Sequence, residues 1–286
     1  MTTSLTVAAN QDRITRALRV VAGRQASREA DYLLTAVLKQ PPFWLDGHPR
    51  QPFTTSQRRT LDRLLARRQT GEPLAYLLGT MDFCGLTLRV NRQTLIPRPE
   101  TELLVELVVK NKALRRVADI GTGSGAIAIA LAVARPDLTV WATDQSAAAL
   151  RVARANAGHY RLAARITFKI GDLLAPLQRQ NFDAVLANPP YLTSAEYRAN
   201  PLLRFEPKTA LISGRDGLTH YRRLLRQLAA RPQRPRWLYL EIGAGQGHAI
   251  KELFKKLLPE YTVSIKRDLS RRCRFIVATL TSPHSP

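Results

Sequence analysis

Apolar residues recur at helical spacing through the first 79 residues of this 286-residue chain. Ile14, Leu18 and Val21 form one stripe, Leu33, Leu34, Val37 and Leu38 a second, and Leu61, Leu64 and Leu65 a third. Ser27, before Arg28-Glu29-Ala30, reads as an N-cap, and a further helix is expected from Thr55 to about Arg68. Pro41-Pro42 and Asp46-Gly47 punctuate the pattern, giving a small all-α domain of three or four helices over 1–79. From Met81 to Ile96 the period changes to that of a β-hairpin, with Phe83, Leu86, Leu88 and Val90 around Gly85, closed by Pro97 and Pro99. This makes 80–97 a hairpin linker and leaves 98–286 as the third, largest part.

That part alternates. Strands are expected near 117–120, 138–143, 165–170, 182–187, 236–242, 261–266 and 274–280. Helices are expected near 101–110, 124–134, 146–157, 217–229 and 246–257. Such alternation argues for a mostly parallel sheet with helices on both faces. No helix fits between Lys266 and Arg274, so the last two strands should pair antiparallel at one edge.

Composition narrows the class. Hydrophobic residues make up 45% of the chain, enough for a packed core. The longest apolar run, Ala126 to Ala134, falls far short of the roughly 20 residues a membrane span requires. The first ten residues lack the basic and apolar regions of a secretory signal. Cys84 and Cys273 are far apart, and His48, His159, His220, His248 and His284 are scattered, so neither a disulfide framework nor metal-ligand spacing is present. The expectation is a reduced, cytoplasmic, metal-free protein.

The formal charge is +22, spread over both halves, with a dense cluster at Arg222, Arg223, Arg226, Arg231, Arg234 and Arg236. Such a field favours polyanionic neighbours, RNA or the ribosome among them, through weak nonspecific contact. An arginine-biased composition with no specific ligand accounts for it equally well.

Two motifs carry the chemistry. Val117-Ala118-Asp119-Ile120 opens into Gly121-Thr122-Gly123-Ser124-Gly125, a strand-to-helix turn where glycines admit tight turns and close backbone approach to a ligand. Amides at the following helix start suit a carboxylate. The Gly-x-Gly-x-Gly spacing departs from the dinucleotide fingerprint. Asp144 ends the next strand and is placed to accept both hydroxyls of a ribose; its competing role is to cap the helix that follows. Asp172, with Leu173 beside it, is a candidate for an adenine amino group and its ring, or else a loop cap. A rival turn, Glu241 to Gly247 with Asp268 beyond it, mimics the first but lacks the strands that should follow.

The second motif is Asn188-Pro189-Pro190-Tyr191, at the end of the apolar run 184–187. Paired with the glycine turn, it points to methyl transfer from S-adenosylmethionine onto a planar NH2 nitrogen. The Asn188 side-chain oxygen and the Pro189 carbonyl can each accept one N–H of that group, and Tyr191 offers a flat face. Pro189 and Pro190 stiffen the backbone and remove competing donors. Rate would come from placement and from acceptors arranged in advance. A simple turn is the bland alternative. The motif leaves open whether the NH2 belongs to a glutamine or to adenine.

Family resemblance separates these. The chain resembles the peptide chain release factor glutamine methyltransferases (HemK-like protein methyltransferases) over nearly its full length. The matching pieces are 71–76, 95–102, 119–125, 188–191, Glu206-Pro207, 216–218 with Tyr221-Arg222, and 240–247. The resemblance implies a class I S-adenosylmethionine-dependent methyltransferase domain of Rossmann-like α/β fold, with a mostly parallel seven-stranded sheet. It implies an N-terminal helical domain that docks class I release factors, and the glutamine of their Gly-Gly-Gln loop as target. A monomer is expected. Two places depart from the family pattern: 230–235 replaces a glycine-rich turn, and 268–274 lacks a glycine near 270. A nucleic-acid adenine amino-methyltransferase is the alternative enzyme, and an RNA- or ribosome-binding protein with a relic fold is the non-enzymatic one. The Arg98-Pro99-Glu100-Thr101 segment is open between two roles, lining the methionine end of the cofactor or capping the helix at 101–110.

Overall fold

The computed structural model describes residues 6–281 and divides the chain into two compact units, Met1–Thr80 and Met81–Pro286. The first is helical: α1 (Val7–Ala22), α2 (Ala26–Leu38), α3 (Trp44–Gly47), α4 (Thr55–Gln69) and α5 (Leu74–Leu78). Ile14, Leu18, Leu33, Leu34 and Leu61 are fully buried at its centre. Thr54 caps α4 with a reciprocal bond to Gln57, which satisfies two orphan helix-end groups. Ser27 is not a cap. A 3₁₀ turn, Gly23–Gln25, runs directly into α2, and the Gly23 carbonyl accepts the Ala26 amide, so Ser27 sits exposed inside the first turn. Asp46-Gly47 likewise belongs to the short α3 rather than breaking the chain.

The hairpin β1 (Thr80–Phe83) and β2 (Leu86–Arg89) begins at the last residue of the first unit and leads the second. Cys84 and Gly85 at its tip both have positive φ, 50° and 73°, the type I′ pattern that matches strand twist. Phe83 and Leu88 are buried in the core of this second unit. The remaining elements are α6 (Pro99–Lys110), β3 (Arg116–Ile120), α7 (Ala126–Ala134), β4 (Thr139–Asp144), α8 (Ala147–His159), β5 (Ile166–Ile170) and β6 (Ala184–Ala187). After them come α9 (Ser194–Ala199), α10 (Thr219–Ala229), β7 (Trp237–Glu241), α11 (Gly247–Leu257), β8 (Tyr261–Arg267) and β9 (Cys273–Leu280).

Seven strands form one sheet in the order β5-β4-β3-β6-β7-β9-β8. The first five are parallel, and β9 runs antiparallel between β7 and β8. Helices α6, α7 and α8 cover one face, and α10 and α11 cover the other. β4 lies on one side of β3 and β6 on the other, so the strand order reverses at the carboxyl end of β3, where open α/β sheets bind ligands.

The register aligns the motifs. Ile120 faces Thr143 on one side and Ala187 on the other, and Ala187 faces Leu240. The next residues, Asp144, Gly121, Asn188 and Glu241, therefore stand in one row along the carboxyl edge. Between β6 and α10 the chain adds α9 and two 3₁₀ turns, 201–205 and 208–210, none of which the apolar pattern predicts. Among the described residues no helix is long and apolar enough to cross a membrane.

Candidate active site

A cleft opens along that row, enclosing about 710 Å³ with the space open to solvent included. Its lining includes Gly121, Gly123, Asp144, Asp172, Leu173, Asn188, Pro189 and Pro190. The other predicted residues stand behind it or beside it. Thr122 and Ser124 are buried and hold the loop, as does Gly125. A Cβ on Gly125, at φ 83°, would come within 3.0–3.3 Å of Ile129 and Ala153, so helix packing excludes a side chain there.

The glycine turn is braced from three directions. Gly121 and Thr122 donate their amides to the Thr143 carbonyl at 2.8 and 2.9 Å. Thr122 Oγ1 donates to the fully buried Asp119 at 2.6 Å, and burial pushes that carboxyl up to about 7. Asn156, buried on α8, donates to the Ser124 carbonyl at 2.9 Å. It also exchanges bonds with both backbone groups of Arg89.

Asp144 lines the cleft, and the helix-capping role belongs to its neighbour. Ser146 is the N-cap of α8, accepting from the Ala149 amide at 3.1 Å. Asp144 instead accepts the amides of Gly123 at 2.9 Å and Ser146 at 2.8 Å, one on each oxygen. Burial raises its pKa, and those two amides oppose the rise. Asp172 also faces the cleft; its Oδ2 takes Arg223 and the Gln227 amide. Leu173 next to it has φ 50°, a conformation that turns its side chain inward to 8% exposure.

Asn188 and Pro189 line a second hollow as well, together with Leu95, Arg98, Tyr191, Leu192 and Leu203. Asn188-Pro189 is thus the wall between two openings. Tyr191 belongs only to the second, and the edge of its ring lies 3.4 Å from where a Gly243 Cβ would stand. The rival glycine turn is closed by its own side chain. Gln246 accepts the Gly243 amide at 3.0 Å and donates to the Tyr191 carbonyl at 2.9 Å. Asp268 is taken up by the Arg272 amide and Arg274 in the β8–β9 turn.

Sequence reasoning missed the support behind Asn188. Its Nδ2 donates to Thr101 Oγ1 at 3.2 Å, and Thr101 donates to Glu241 at 2.6 Å. Arg98 pairs with Glu206, which also accepts the Ile96 amide at 3.1 Å, so the 95–101 strap is clamped to the loop after β6. His220, scattered by sequence, lines the cleft with Nδ1 2.8 Å from Ser213 Oγ. The arginine cluster does not form one bare patch. Arg222, Arg223 and Arg234 pair with Asp216, Asp172 and Glu260, while Arg231 is buried over Phe182.

Comparison with known proteins matches two regions. Residues 11–79 fit the family described as the PrmC N-terminal domain, and residues 99–207 fit the methyltransferase small domain. The release factor glutamine methyltransferase of Coxiella burnetii is 38% identical over 254 residues, covering 87% of this chain and 90% of that protein. That of Xylella fastidiosa strain Temecula1 is 40% identical over 253 residues, covering 87% and 91%. Among solved structures, the hMettl16 catalytic domain in complex with a MAT2A 3′UTR hairpin aligns with a TM-score of 0.58 at 19% identity, covering 88% of this chain and 91% of that one. At that identity the likeness shows the fold, a methyltransferase-type α/β sheet.

Proposed function

Because the chain belongs to the release factor glutamine methyltransferase family, we propose that it methylates the side-chain amide of the glutamine in the Gly-Gly-Gln loop of class I peptide chain release factors. The observation that carries this reading is the place of Asn188-Pro189, which lines both the cleft beside the glycine turn and the hollow beside Tyr191.

The residues of the first cleft suit S-adenosylmethionine. Gly121 and Gly123, at φ 75° and 56°, let the backbone approach a ligand closely. Asp144 would accept the ribose hydroxyls, Leu173 would pack on the adenine ring, and Asp172 would accept its amino group through Oδ1. When bound there, the group supplies an electrophilic methyl on a sulfonium.

The chain's own residues supply placement. An amide nitrogen is a poor nucleophile because its lone pair is delocalised into the carbonyl. Asn188 points its NH2 back to Thr101, which leaves Oδ1 as an acceptor on the wall. The Pro189 carbonyl is a second acceptor, and no described residue takes either oxygen. Two N–H bonds to these oxygens would orient the incoming amide across the wall, and both acceptors strengthen as positive charge grows on the nitrogen. As the nitrogen–methyl bond forms, the methyl–sulfur bond breaks, and the methylated nitrogen would release one proton to water. Tyr191 and Leu203 in the second hollow would pack on the glutamine side chain.

Adenine presents a similar NH2, but the curated relatives are named for glutamine, so that alternative is not favoured. The helical unit would dock the folded factor as a monomer, and the basic surface would add weak contact with RNA or the ribosome in the compartment of translation. Transfer of labelled methyl to purified release factor, run beside DNA and RNA oligomers, tests the reading. Label on the factor alone supports it, and label on an oligomer contradicts it.

A further inference from the structure

Asn188 can serve as an acceptor only if its carboxamide is held one way round, and two buried side chains decide that. Thr101 is 4% exposed on the first turn of α6, and Glu241 is 1% exposed at the end of β7. A threonine hydroxyl has one proton to give. With Glu241 ionised, that proton goes to Oε2 at 2.6 Å, and Thr101 can only accept from Asn188 Nδ2 at 3.2 Å. Asn188 Oδ1 is then turned to the wall. With Glu241 protonated, the chain of donors can run backwards. Glu241 donates to Thr101, Thr101 donates to Asn188 Oδ1, and the carboxamide presents its NH2, a donor facing the donor it should receive.

We propose that Glu241, acting through Thr101, is a positioning residue that fixes Asn188 Oδ1 as the acceptor for the substrate amide. The proposal rests on the reading above that Asn188 receives an N–H of the methylated group. Nothing in the glycine turn or the Asn-Pro-Pro-Tyr motif requires Glu241. It lies 140 residues from Thr101 in the chain and meets it only in the folded sheet.

Glu241 is the titratable end of this relay. Burial pushes its carboxyl up to about 7, against the Thr101 bond and Arg274, which lower it. Arg98 also lowers it from the strap, and Glu100 raises it from the start of α6. Two tyrosines stand against it: Tyr191, and Tyr221 on α10, whose hydroxyl donates to the Glu241 backbone carbonyl at 2.7 Å. The working form is the ionised one, so turnover should fall as pH drops through about 7. His220 lines the cofactor cleft, so its titration should appear in cofactor affinity instead.

The test measures kcat against pH at saturating cofactor and release factor, with cofactor affinity by calorimetry. Wild type should lose turnover on the acid side with an apparent pKa near 7. Glu241→Gln should lower kcat at least ~10-fold and abolish that limb, with cofactor Kd within about twofold, because only transition-state placement is lost. Thr101→Val should do the same, and Thr101→Ser should restore kcat to within about threefold. An acid limb that persists in Glu241→Gln, or a Thr101→Val enzyme with wild-type kcat, overturns the proposal. If Thr101→Val does not fold, the acid limb and its fate in Glu241→Gln decide alone. Asn188→Ala separates the two levels. If it remains active, the role of Asn188 itself is wrong; if it is inactive while Thr101→Val is not, only the relay is wrong.

Discussion

Gly123 donates its amide to Asp144 Oδ2 at 2.9 Å, tying the turn after β3 to the end of β4 across the floor of the cleft. Asp144 therefore closes the glycine turn, and on the proposed reading it also presents its carboxylate to the ligand. Asp144→Ala should weaken S-adenosylmethionine by roughly 1.5–3 kcal/mol, the worth of a charge-assisted acceptor. Ser146 caps α8, so helix capping should survive the change. Calorimetry showing unchanged cofactor affinity would remove Asp144 from the binding set.

Asn156 is a structural counterpart. It satisfies the Ser124 carbonyl, the Arg89 carbonyl and the Arg89 amide with one buried side chain. Asn156→Ala strands those groups and should cost roughly 2–4 kcal/mol of stability. Denaturant unfolding checks the value, and a loss below about 0.5 kcal/mol, ordinary for a surface site, would contradict it.

The sequence made the strands legible because buried parallel strands read as continuous apolar runs, as in Ala184-Val185-Leu186-Ala187. It made Gly121, Asp144 and Asn188 legible because each sits at or just past the end of a strand, where the register alone brings them together. Thr101 was out of reach: its partner Asn188 is 87 residues away, and no local pattern encodes that contact. α9 and the 3₁₀ turns after it are short and largely exposed, so they carry no apolar period to read. The missing glycine near 270 also has a physical outcome, since Arg271 takes φ 61° in the tail turn itself.

Stability should depend on pH with a definite sign. Asp119 is raised from 3.8 to about 7 and Glu241 from 4.5 to about 7, both chiefly by burial. For an acid whose folded pKa lies above its unfolded one, the stabilising contribution is full below the unfolded value and is lost as pH rises through the folded value. The lowered pKa of His220 acts oppositely, toward its acid side. The melting temperature should therefore fall between about pH 4 and 7 and level off above that. Asp119→Asn keeps an acceptor for Thr122 and should flatten that slope; an unchanged slope in thermal melts would contradict it.

If the helical unit docks the folded factor, a chain lacking residues 1–80 should bind cofactor normally yet methylate intact release factor far more slowly. A short Gly-Gly-Gln peptide should be a poor substrate for the full chain, because remote contacts position the reacting amide. Equal rates on peptide and intact factor would remove docking from the account.

The most direct measurement is to locate the methyl group. Release factor incubated with the enzyme and S-adenosylmethionine is digested, and the loop peptide is sequenced by tandem mass spectrometry. The account predicts a gain of one methyl on the side chain of the Gly-Gly-Gln glutamine, and none when Asn188→Ala replaces the wild-type enzyme. A methyl on any other residue, or undiminished labelling by Asn188→Ala, would contradict it.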